Sequence, residues 1–565
     1  MRLELDEVRR LTGPNLLWDE PGAILDVFIS GTDKLAVIQT WQQWMDKLLL
    51  AFGWQQTHTY RLYSGGASMA LSAPMDALYV ACDLAELAWD CCVAEFDQQP
   101  LPDWRNRLDE LRIELNDELN PRLITLLGLA KQKGVSAISD DDEFSLGMGA
   151  SAEIWPIRAL PDPQQLDWSR YSDIPRAFIT GTNGKSTSVR LASEIAKAAN
   201  FCAGVTSTDF IKVGDEIIDE GDYSGPGGAR MLLRDSRTEM AFLEVARGGI
   251  LRRGLPIEKV DAALITNVAS DHLGQYGINT VAELAQVKFV VTKGLADTGV
   301  LVTNADNPWT VEQAKYVNCE ICWFSESASN PLIMKNLSEG KPVVYADNGK
   351  VIYVDNIGQK TTATAIKDIP MTIAGAAHHN VQNALGVVGL CMALKLPLTA
   401  IRSGLHSFGS DAQDNPGRGN LYHYHGATVM VDFAHNAHSV AAMINTAKQM
   451  PAKRYIVMFS NAGDRSDSEI RNLTQAVADL NADMYLVAEI EKYLRGRKPF
   501  ELVEIATQAL IAAGIESEKI VTQDSPVKGA KLAKQIAKDG DVILLFTLDQ
   551  RDKVHQLFSD TDSLE

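Results

Sequence analysis

Apolar runs alternate with helical stretches over most of the chain from Arg176 onward. Residues 176–180 predict a buried strand, which a glycine loop joins to a helix that ends near Ala199. Further strands are predicted at 240–245, 262–267, 299–304, 428–432, 454–459, 483–487 and 542–546. Strands that alternate with helices favour a parallel sheet covered by helices. The pattern therefore predicts an α/β protein with a central domain and a second, smaller α/β domain.

The first 155 residues follow a more mixed pattern. Apolar runs at 23–28 and 77–80 predict strands, and 104–133 predicts one helix because leucines recur on a single face of it. The stretch 156–175 contains a Pro-Asp-Pro sequence and scattered charges, which are typical of a linker. We therefore expect an N-terminal α+β domain at 1–155, the linker at 156–175, a central domain at 176–412 and a C-terminal Rossmann-like α/β domain at 413–565.

The composition is that of a folded, acidic protein. Of 565 residues, 46% are hydrophobic and 22% are charged, and the formal net charge is −20. These proportions exclude fibrous and disordered classes, and the negative charge disfavours binding to nucleic acid or to an anionic membrane. The N-terminus lacks the apolar core of a secretory signal, and no run of about 18 uncharged apolar residues is present. With seven cysteines thinly spread, we expect a cytoplasmic protein.

A glycine loop carries the sharpest chemical signal. Residues 181–187 read Gly-Thr-Asn-Gly-Lys-Ser-Thr and lie between a predicted strand and a predicted helix. In such a loop the backbone N–H groups and the helix N-terminus surround phosphates, the lysine reaches the β- and γ-phosphates, and the hydroxyl binds Mg²⁺. Ile179 stands where the general P-loop has a glycine. The strand-loop-helix context nevertheless predicts ATP binding, with Lys185 on the phosphates and Ser186 on Mg²⁺.

Several further motifs accompany this loop. They read Glu-Val-Ala-Arg-Gly-Gly-Ile-Leu-Arg-Arg-Gly at 244–254, Thr-Asn-Val-Ala-Ser-Asp-His-Leu-Gly at 266–274, Ala-His-His-Asn-Val-Gln-Asn at 377–383, Asp-Asn-Pro-Gly-Arg at 414–418 and Asp-Phe-Ala-His-Asn at 432–436. Together they resemble the Mur ligase family, which joins amino acids to carboxylates with ATP, and within it most of all the cyanophycin synthetase branch. Residues 10–15 and 145–149 resemble the start and the end of that branch's N-terminal domain. That branch carries an ATP-grasp module between these two parts, but here about 20 residues separate Trp155 from the strand predicted at 176–180, so we expect the module to be missing.

The resemblance implies ATP and Mg²⁺ as cofactors and assigns residues to them. The phosphate cradle is expected at Gly181, Thr182, Asn183, Gly184, Lys185, Ser186 and Thr187. The Mg²⁺ ligands are expected to be Ser186, Glu244, His272 and Lys288, with Lys288 carbamylated so that it carries a carboxylate. Lys185, Glu244, His272 and Lys288 form the expected catalytic set. The alternatives are a helix cap or an ion pair with Arg247 for Glu244, a structural role for His272, and a surface lysine at 288 with Lys293 as the competing position.

The rest of the nucleotide and the substrates are assigned in the same way. The resemblance implies that Asn380 and Asn383, one helical turn apart, contact the adenine, that Arg418 contacts the nucleotide and that Asp432 contacts the ribose. The substrate residues are expected to be Asp222, Arg230, His435, Asp464 and Arg465. Two positions depart from the family's pattern, because Asn420 replaces a glutamate and Ala437 replaces a proline.

The expected function is ATP-dependent amide or isopeptide ligation through an acyl phosphate, with release of ADP and phosphate. The expected partners are an amino acid, an amino-acid or small-peptide acceptor and a separate ATP-grasp ligase of the same pathway, with no nucleic acid or membrane. A homo-oligomer is also expected. The alternatives are a folylpolyglutamate-synthetase-like glutamate ligase, against which the N-terminal domain argues, and a non-catalytic subunit of an ATP-grasp enzyme. A scaffold would need none of Lys185, Glu244, His272 and Lys288.

Overall fold

The computed structural model describes residues 2–409 and 414–559. The boundary expected between the central and C-terminal domains, at 412 and 413, lies outside the described residues. Within the described part, no helix is both long and apolar enough to cross a membrane.

The N-terminal part is built on a four-stranded antiparallel sheet with the order β1-β2-β4-β3. Its strands are β1 (Arg2–Leu11), β2 (Gly22–Ser30), β3 (His58–Tyr63) and β4 (Gly66–Ser72). One face packs against α1 (Lys34–Phe52), α2 (Leu78–Phe96) and α3 (Trp104–Glu118) in a shared apolar core. The strand predicted at 77–80 is wrong, because Leu78 begins α2 there.

The single helix predicted at 104–133 is also wrong. Helix α3 ends at Glu118, Leu119 is extended (ψ 130°), and α4 (Pro121–Lys133) begins with Pro121. A proline disfavours helical geometry in the residue before it but suits the first turn of a helix. The side chain of Asn120 caps α4 by accepting a hydrogen bond from the Leu123 N–H. The leucine stripe therefore runs over two helices.

A small sheet of β5 (Ala137–Ser139), β6 (Glu143–Leu146) and β7 (Glu153–Pro156) follows α4. The stretch 156–175, expected to be a linker, packs against this sheet. Leu160 and Tyr171 from this stretch are buried in one apolar cluster with Leu126 and Phe144.

The central part is an eleven-stranded sheet with the order β11-β10-β9-β12-β8-β13-β14-β15-β16-β17-β18. Its strands are β8 (Arg176–Thr180), β9 (Ala203–Thr206), β10 (Phe210–Val213), β11 (Glu216–Glu220), β12 (Met240–Glu244), β13 (Val260–Ile265), β14 (Leu295–Asn304), β15 (Glu320–Ser325), β16 (Val343–Asp347), β17 (Lys350–Val354) and β18 (Lys360–Ala365). The strands from β9 to β16 in this order run parallel, and antiparallel hairpins extend both edges.

Helices cover both faces of the central sheet. They are α5 (Lys185–Ala198), α6 (Pro226–Arg234), α7 (Arg247–Arg253), α8 (Val281–Phe289), α9 (Pro308–Gln313), α10 (Pro331–Ser338), α11 (His378–Ala393) and α12 (Leu398–Ser407). Successive strand residues belong to opposite layers: Phe178 packs with α6, α7 and α8, whereas Ile179 packs with α5 and α11. A strand buried on both faces explains the continuous apolar run at 176–180.

The C-terminal part is a six-stranded sheet with the order β19-β20-β24-β21-β22-β23, parallel except for β19. Its strands are β19 (Asn420–Tyr424), β20 (Ala427–Asp432), β21 (Arg454–Ser460), β22 (Met484–Ala488), β23 (Ile520–Gln523) and β24 (Asp541–Phe546). Its helices are α13 (Ala437–Lys448), α14 (Asp467–Ala478), α15 (Glu501–Ala512), α16 (Pro526–Ile536) and α17 (Arg551–Ser559). The predicted fold class, a central parallel-sheet domain followed by a Rossmann-like domain, is confirmed.

Candidate active site

A cleft of about 1210 Å³ separates the central and C-terminal sheets. The glycine loop, the end of β12 and the loop after β13 form one wall, and the ends of β20 and β21 form the other. Both walls are carboxyl ends of parallel strands, which is where open α/β sheets bind ligands. Every residue expected from the sequence to bind nucleotide or metal lines this cleft except Gly181, which directly precedes the lining residues.

The glycine loop joins β8 to α5 as predicted. Gly184 has φ +88°, and a Cβ atom there would lie 2.2 Å from Oδ1 of Asn383, so only glycine fits. Helix α5 has no side-chain cap, and its first N–H groups therefore keep their hydrogen-bonding capacity toward the cleft. Lys185 lies at the same place, with Nζ donating to the Thr182 carbonyl at 3.1 Å. This arrangement fits an anionic phosphate group.

The glycine loop also contacts the opposite wall. Asn183 Nδ2 lies 2.9 Å from Nδ1 of His438 and donates to Oδ1 of Asn436 at 3.3 Å. Asn436 in turn donates to Oδ1 of Asn183 at 3.1 Å. The two domains are therefore hydrogen-bonded across the mouth of the phosphate cradle.

Glu244 ends β12 beneath the glycine loop and is 1% exposed. Neither carboxylate oxygen has a hydrogen-bond partner among the described residues. Burial raises the pKa of its carboxyl group, and the nearby Lys185 ammonium and Ser186 hydroxyl counteract part of the rise. Arg247, the alternative partner considered for Glu244, donates instead to the His272 carbonyl and to Gln275. A buried carboxylate without a partner, next to a serine hydroxyl, fits a divalent cation.

Lys288 lies in α8 and is buried, with Nζ donating to the Gly181 carbonyl at 2.8 Å. Burial lowers the pKa of its ammonium well below the usual value, and the neighbouring Lys185 adds to this effect. The competing Lys293 points away from the cleft, donating to the Asn15 carbonyl and pairing with Asp19, both at 2.8 Å. Between the two, Lys288 is the lysine at the cleft.

His272 lies in the loop after β13, together with Asp271 and close to His435 from the C-terminal part. One ligand atom from each of these three residues lies within 4.8 Å of the others. Burial lowers the pKa of His272 to about 4, against the influence of Asp271. Arg465 lies on the same cluster, with guanidinium nitrogens 3.1 Å from Nε2 of His272 and 3.1 Å from Asp271. Nε2 of His272 can therefore bind a cation only if Arg465 moves.

The residues expected to contact the nucleoside are held by the protein. Asn380 donates to the Met371 carbonyl at 2.8 Å, and Asn383 donates to Asn380 at 3.1 Å. Asp432 accepts a 2.6 Å hydrogen bond from the Ala434 N–H, and burial raises its pKa to about 6 although Arg418 opposes this. All four expected residues line the cleft.

An unpredicted cluster lies beside Arg418. Asp209 pairs with Arg190 at 2.5 Å, with Arg551 at 2.8 Å and with Arg418 at 3.7 Å. Burial alone would raise the pKa of Asp209, but the three guanidinium groups lower it to about 2. The guanidinium carbons of Arg418 and Arg551 also lie 4.7 and 4.9 Å from the ring centre of Phe433. The cluster thus joins α5 and the loop after β9 to the C-terminal part.

The expected substrate residues divide into two groups. Asp222, His435, Asp464 and Arg465 line the cleft. Asp222 accepts hydrogen bonds from Ser224, and Asp464 pairs with Arg495. Arg230 is not among the lining residues, because Nε lies 3.6 Å from Asp140 of the N-terminal part. The structure therefore brings together every expected substrate residue except Arg230.

The fold and the cleft define a P-loop α/β protein whose candidate site lies between a central parallel sheet and a C-terminal Rossmann-like domain. Sequence profiles for two domains match it: the Mur ligase middle domain at residues 179–391 and the Mur ligase, glutamate ligase domain at residues 417–547. Together these cover more than half of the chain. The protein belongs to the Mur ligase family, and the resemblance seen in its motifs is confirmed.

The cyanophycin synthetase of Synechocystis sp. is 32% identical over 373 residues, which are 66% of this chain and 42% of that protein. The UDP-N-acetylmuramoyl-L-alanyl-D-glutamate–2,6-diaminopimelate ligase of Geobacter metallireducens is 27% identical over 66% of this chain and 73% of that protein. A solved structure of E. coli FolC in complex with DHPP and ADP superposes with a TM-score of 0.50 at 17% identity, covering 69% of this chain and 88% of FolC, and shares the fold. The chain spans about two fifths of the length of the cyanophycin synthetases that it matches.

Proposed function

We propose that the protein is an ATP-dependent ligase that joins the amine of an amino acid to the carboxylate of an amino-acid or peptide acceptor. The observation that carries the proposal is the convergence, in one cleft, of the P-loop Lys185, the unpartnered buried carboxylate of Glu244 and the buried amine of Lys288. These are the parts that phosphoryl transfer needs: a phosphate cradle and charged groups around the transferred group. Membership of the Mur ligase family supports the same reaction class.

In the proposed reaction the acceptor carboxylate attacks the γ-phosphorus of ATP, so that an acyl phosphate forms and ADP leaves. The amine then attacks the acyl carbon, phosphate leaves, and the nitrogen loses its proton to water. Lys185 and the first-turn N–H groups of α5 hold the phosphates in this proposal. Mg²⁺ held by Ser186 and Glu244 would neutralise charge on the transferred phosphoryl group.

We further propose that Lys288 is carbamylated and that its carbamate, with His272, serves a second Mg²⁺. A lysine adds carbon dioxide only through its neutral amine, and burial of Lys288 favours that form. The product is an anion with oxygen atoms, which suits a hard cation better than an ammonium group does. Arg465 would have to leave His272 when this second cation binds.

The proposed substrates are amino acids and small peptides, and the proposed compartment is the cytoplasm, where ATP and free amino acids are both present. Because fewer than 20 residues separate β7, which ends at Pro156, from β8, which begins at Arg176, no ATP-grasp module fits between them, and we infer that the protein performs a single ligation. A separate ATP-grasp ligase of the same pathway would then carry out any further one.

Phosphate release tests the proposal. The protein is incubated with ATP, Mg²⁺ and pairs drawn from a panel of amino acids, aspartate-containing peptides and folate, and products are identified by mass spectrometry. At least one pair should give stoichiometric ADP, phosphate and condensed product, and Lys185→Ala should give none. Phosphate release without a condensed product would contradict ligation. Turnover only with folate and glutamate would favour a folylpolyglutamate synthetase, and turnover only after addition of an ATP-grasp ligase would favour a non-catalytic subunit.

A further inference from the structure

The loop between β13 and α8 has an unusual backbone. His272 and Tyr276 have φ values of +49° and +53°, and Gly274 and Gly277 have +90° and +64°. Within the loop, the Gly274 N–H donates to the Ile278 carbonyl at 2.7 Å. Left-handed geometry at two residues other than glycine is unfavourable and persists only where the surroundings hold it. The loop that carries His272 therefore depends on contacts from outside itself.

Some of those contacts come from the N-terminal sheet. Arg61, on β3, donates through one guanidinium nitrogen to the Tyr276 carbonyl at 3.1 Å and to the Gly277 carbonyl at 3.2 Å. Arg9, on β1, lies with its guanidinium carbon 5.1 Å from the centre of the Tyr276 ring. The central part contributes Arg247, which donates to the His272 carbonyl at 2.7 Å. The loop is thus held at one end by its own domain and at the other by the N-terminal domain.

The guanidinium group of Arg61 also reaches α8, the helix that carries Lys288. Nη1 of Arg61 lies 3.8 Å from Oε1 of Glu283. The other oxygen of Glu283 accepts hydrogen bonds from the N–H groups of Asn279 and Thr280 and completes the capping box of α8. Lys288 follows five residues later in this helix. Arg61 therefore contacts both the His272 loop and the N-terminus of the Lys288 helix.

The His272 loop also packs closely against an aromatic ring of the N-terminal sheet. A Cβ atom on Gly277 would lie 2.3 Å from the Tyr63 ring. Tyr63 is 7% exposed, and its hydroxyl donates to the Val27 carbonyl at 2.9 Å, so the ring is fixed within the N-terminal sheet. The loop consequently has little freedom to shift toward the sheet.

We propose that the N-terminal domain positions the metal-binding side of the cleft, with Arg61 as the positioning residue that sets the His272 loop against the Lys288 helix. The inference rests on the proposed function. It gives the N-terminal domain a part in the reaction although none of its described residues lines the cleft. Arg61 acts through His272 and Lys288, and its effect should appear in the use of Mg²⁺ more than in substrate affinity.

The test compares the full-length protein with Arg61→Met and Arg61→Lys. Hydrogen exchange of residues 271–279, measured without nucleotide or Mg²⁺, should become about tenfold faster in Arg61→Met, as expected for the loss of charge-assisted hydrogen bonds. The Mg²⁺ concentration for half-maximal phosphate release should rise by a similar factor, while KM for the amine changes little. Arg61→Lys should recover only part of both effects, because an ammonium lacks the planar fork of donors. Arg105→Met, at an exposed position beside Trp104, is the control and should match the wild type.

Gly277→Ala perturbs the same contact from the loop side and leaves the N-terminal domain unchanged. It should accelerate exchange of residues 271–279 as Arg61→Met does, which keeps the test decisive if Arg61→Met fails to fold. The proposal is overturned if a folded Arg61→Met protein exchanges this segment and uses Mg²⁺ as the wild type does. If no substrate pair gives turnover, the proposed function fails, and the exchange measurement still decides whether Arg61 holds the loop.

Discussion

Replacing Asp209 by asparagine should loosen the C-terminal domain from the central one. The carboxylate is the common partner of Arg190, Arg418 and Arg551, and the last two belong to the C-terminal part. A carboxyl pKa lowered from 3.8 to about 2 corresponds to about 2 kcal/mol of favourable interaction with the charged form. Removing one partner of a buried ion cluster typically costs about 3 to 5 kcal/mol. We therefore expect Asp209→Asn to lose about 2 to 4 kcal/mol.

Thermal unfolding and small-angle scattering measure this effect. The C-terminal transition should fall by roughly 5 to 10 °C, and the radius of gyration of the ligand-free protein should increase as the cleft opens. Asp215→Asn is the matched control, because Asp215 pairs with Lys197 at 2.6 Å but the two side chains are 74% and 52% exposed. Such a surface pair contributes at most about 1 kcal/mol.

The contribution of Asp209 to stability should depend on pH in a definite direction. Because the pKa of Asp209 is lower in the folded protein, its contribution is complete above about pH 4 and is lost as the pH falls toward 2. Asp209→Asn should therefore differ most from the wild type near neutral pH and should approach it in acid. Equal melting temperatures for Asp209→Asn and the wild type at neutral pH, with no change in scattering, would refute the reasoning.

Three further results are expected. Lys185→Ala should lower phosphate release at least a hundredfold while circular dichroism and melting stay unchanged; normal release with a working substrate pair would reject the P-loop assignment. The pure protein should make no polymer from aspartate and arginine alone, because no ATP-grasp module is expected in it, and chain growth seen by gel electrophoresis would contradict this. Lys288→Ala and Lys288→Arg should lose turnover to the same extent, because arginine cannot be carbamylated. Bicarbonate or a small carboxylic acid should partly restore the turnover of Lys288→Ala. Near-normal turnover of Lys288→Arg would show that Lys288 is an ordinary helix lysine.

The sequence predicts those strands, loops and helices that depend on the local pattern of residues. The apolar run at 176–180 is buried on both faces, and the following glycines adopt the backbone that only glycine adopts easily, so strand, loop and helix follow from one short segment. The error at 77–80 has a local cause as well: a four-residue apolar run fits the start of a helix as well as a strand. The helix is distinguished from a strand only when the apolar pattern is followed through to Phe96, where α2 ends.

Contacts between distant segments could not be predicted in this way. Asp209 and Arg551 are 342 residues apart, and Arg61 is 215 residues from Tyr276. None of these residues lies in a motif, and the sequence does not indicate which distant residue any of them contacts. Their roles depend on how the domains pack, and hydrophobic periodicity within one segment carries no information about that packing.

The hydrogen bonds between Asn183 and its partners Asn436 and His438 have a kinetic consequence. They join the loop proposed to hold the phosphates to the start of α13 on the other domain. A nucleotide that enters or leaves past this point must first separate the two walls. In the proposed ligation this separation recurs in every cycle, whatever the amine and the acceptor are. The frequency with which the domains part is therefore expected to limit turnover, so faster chemistry alone would not make a faster enzyme.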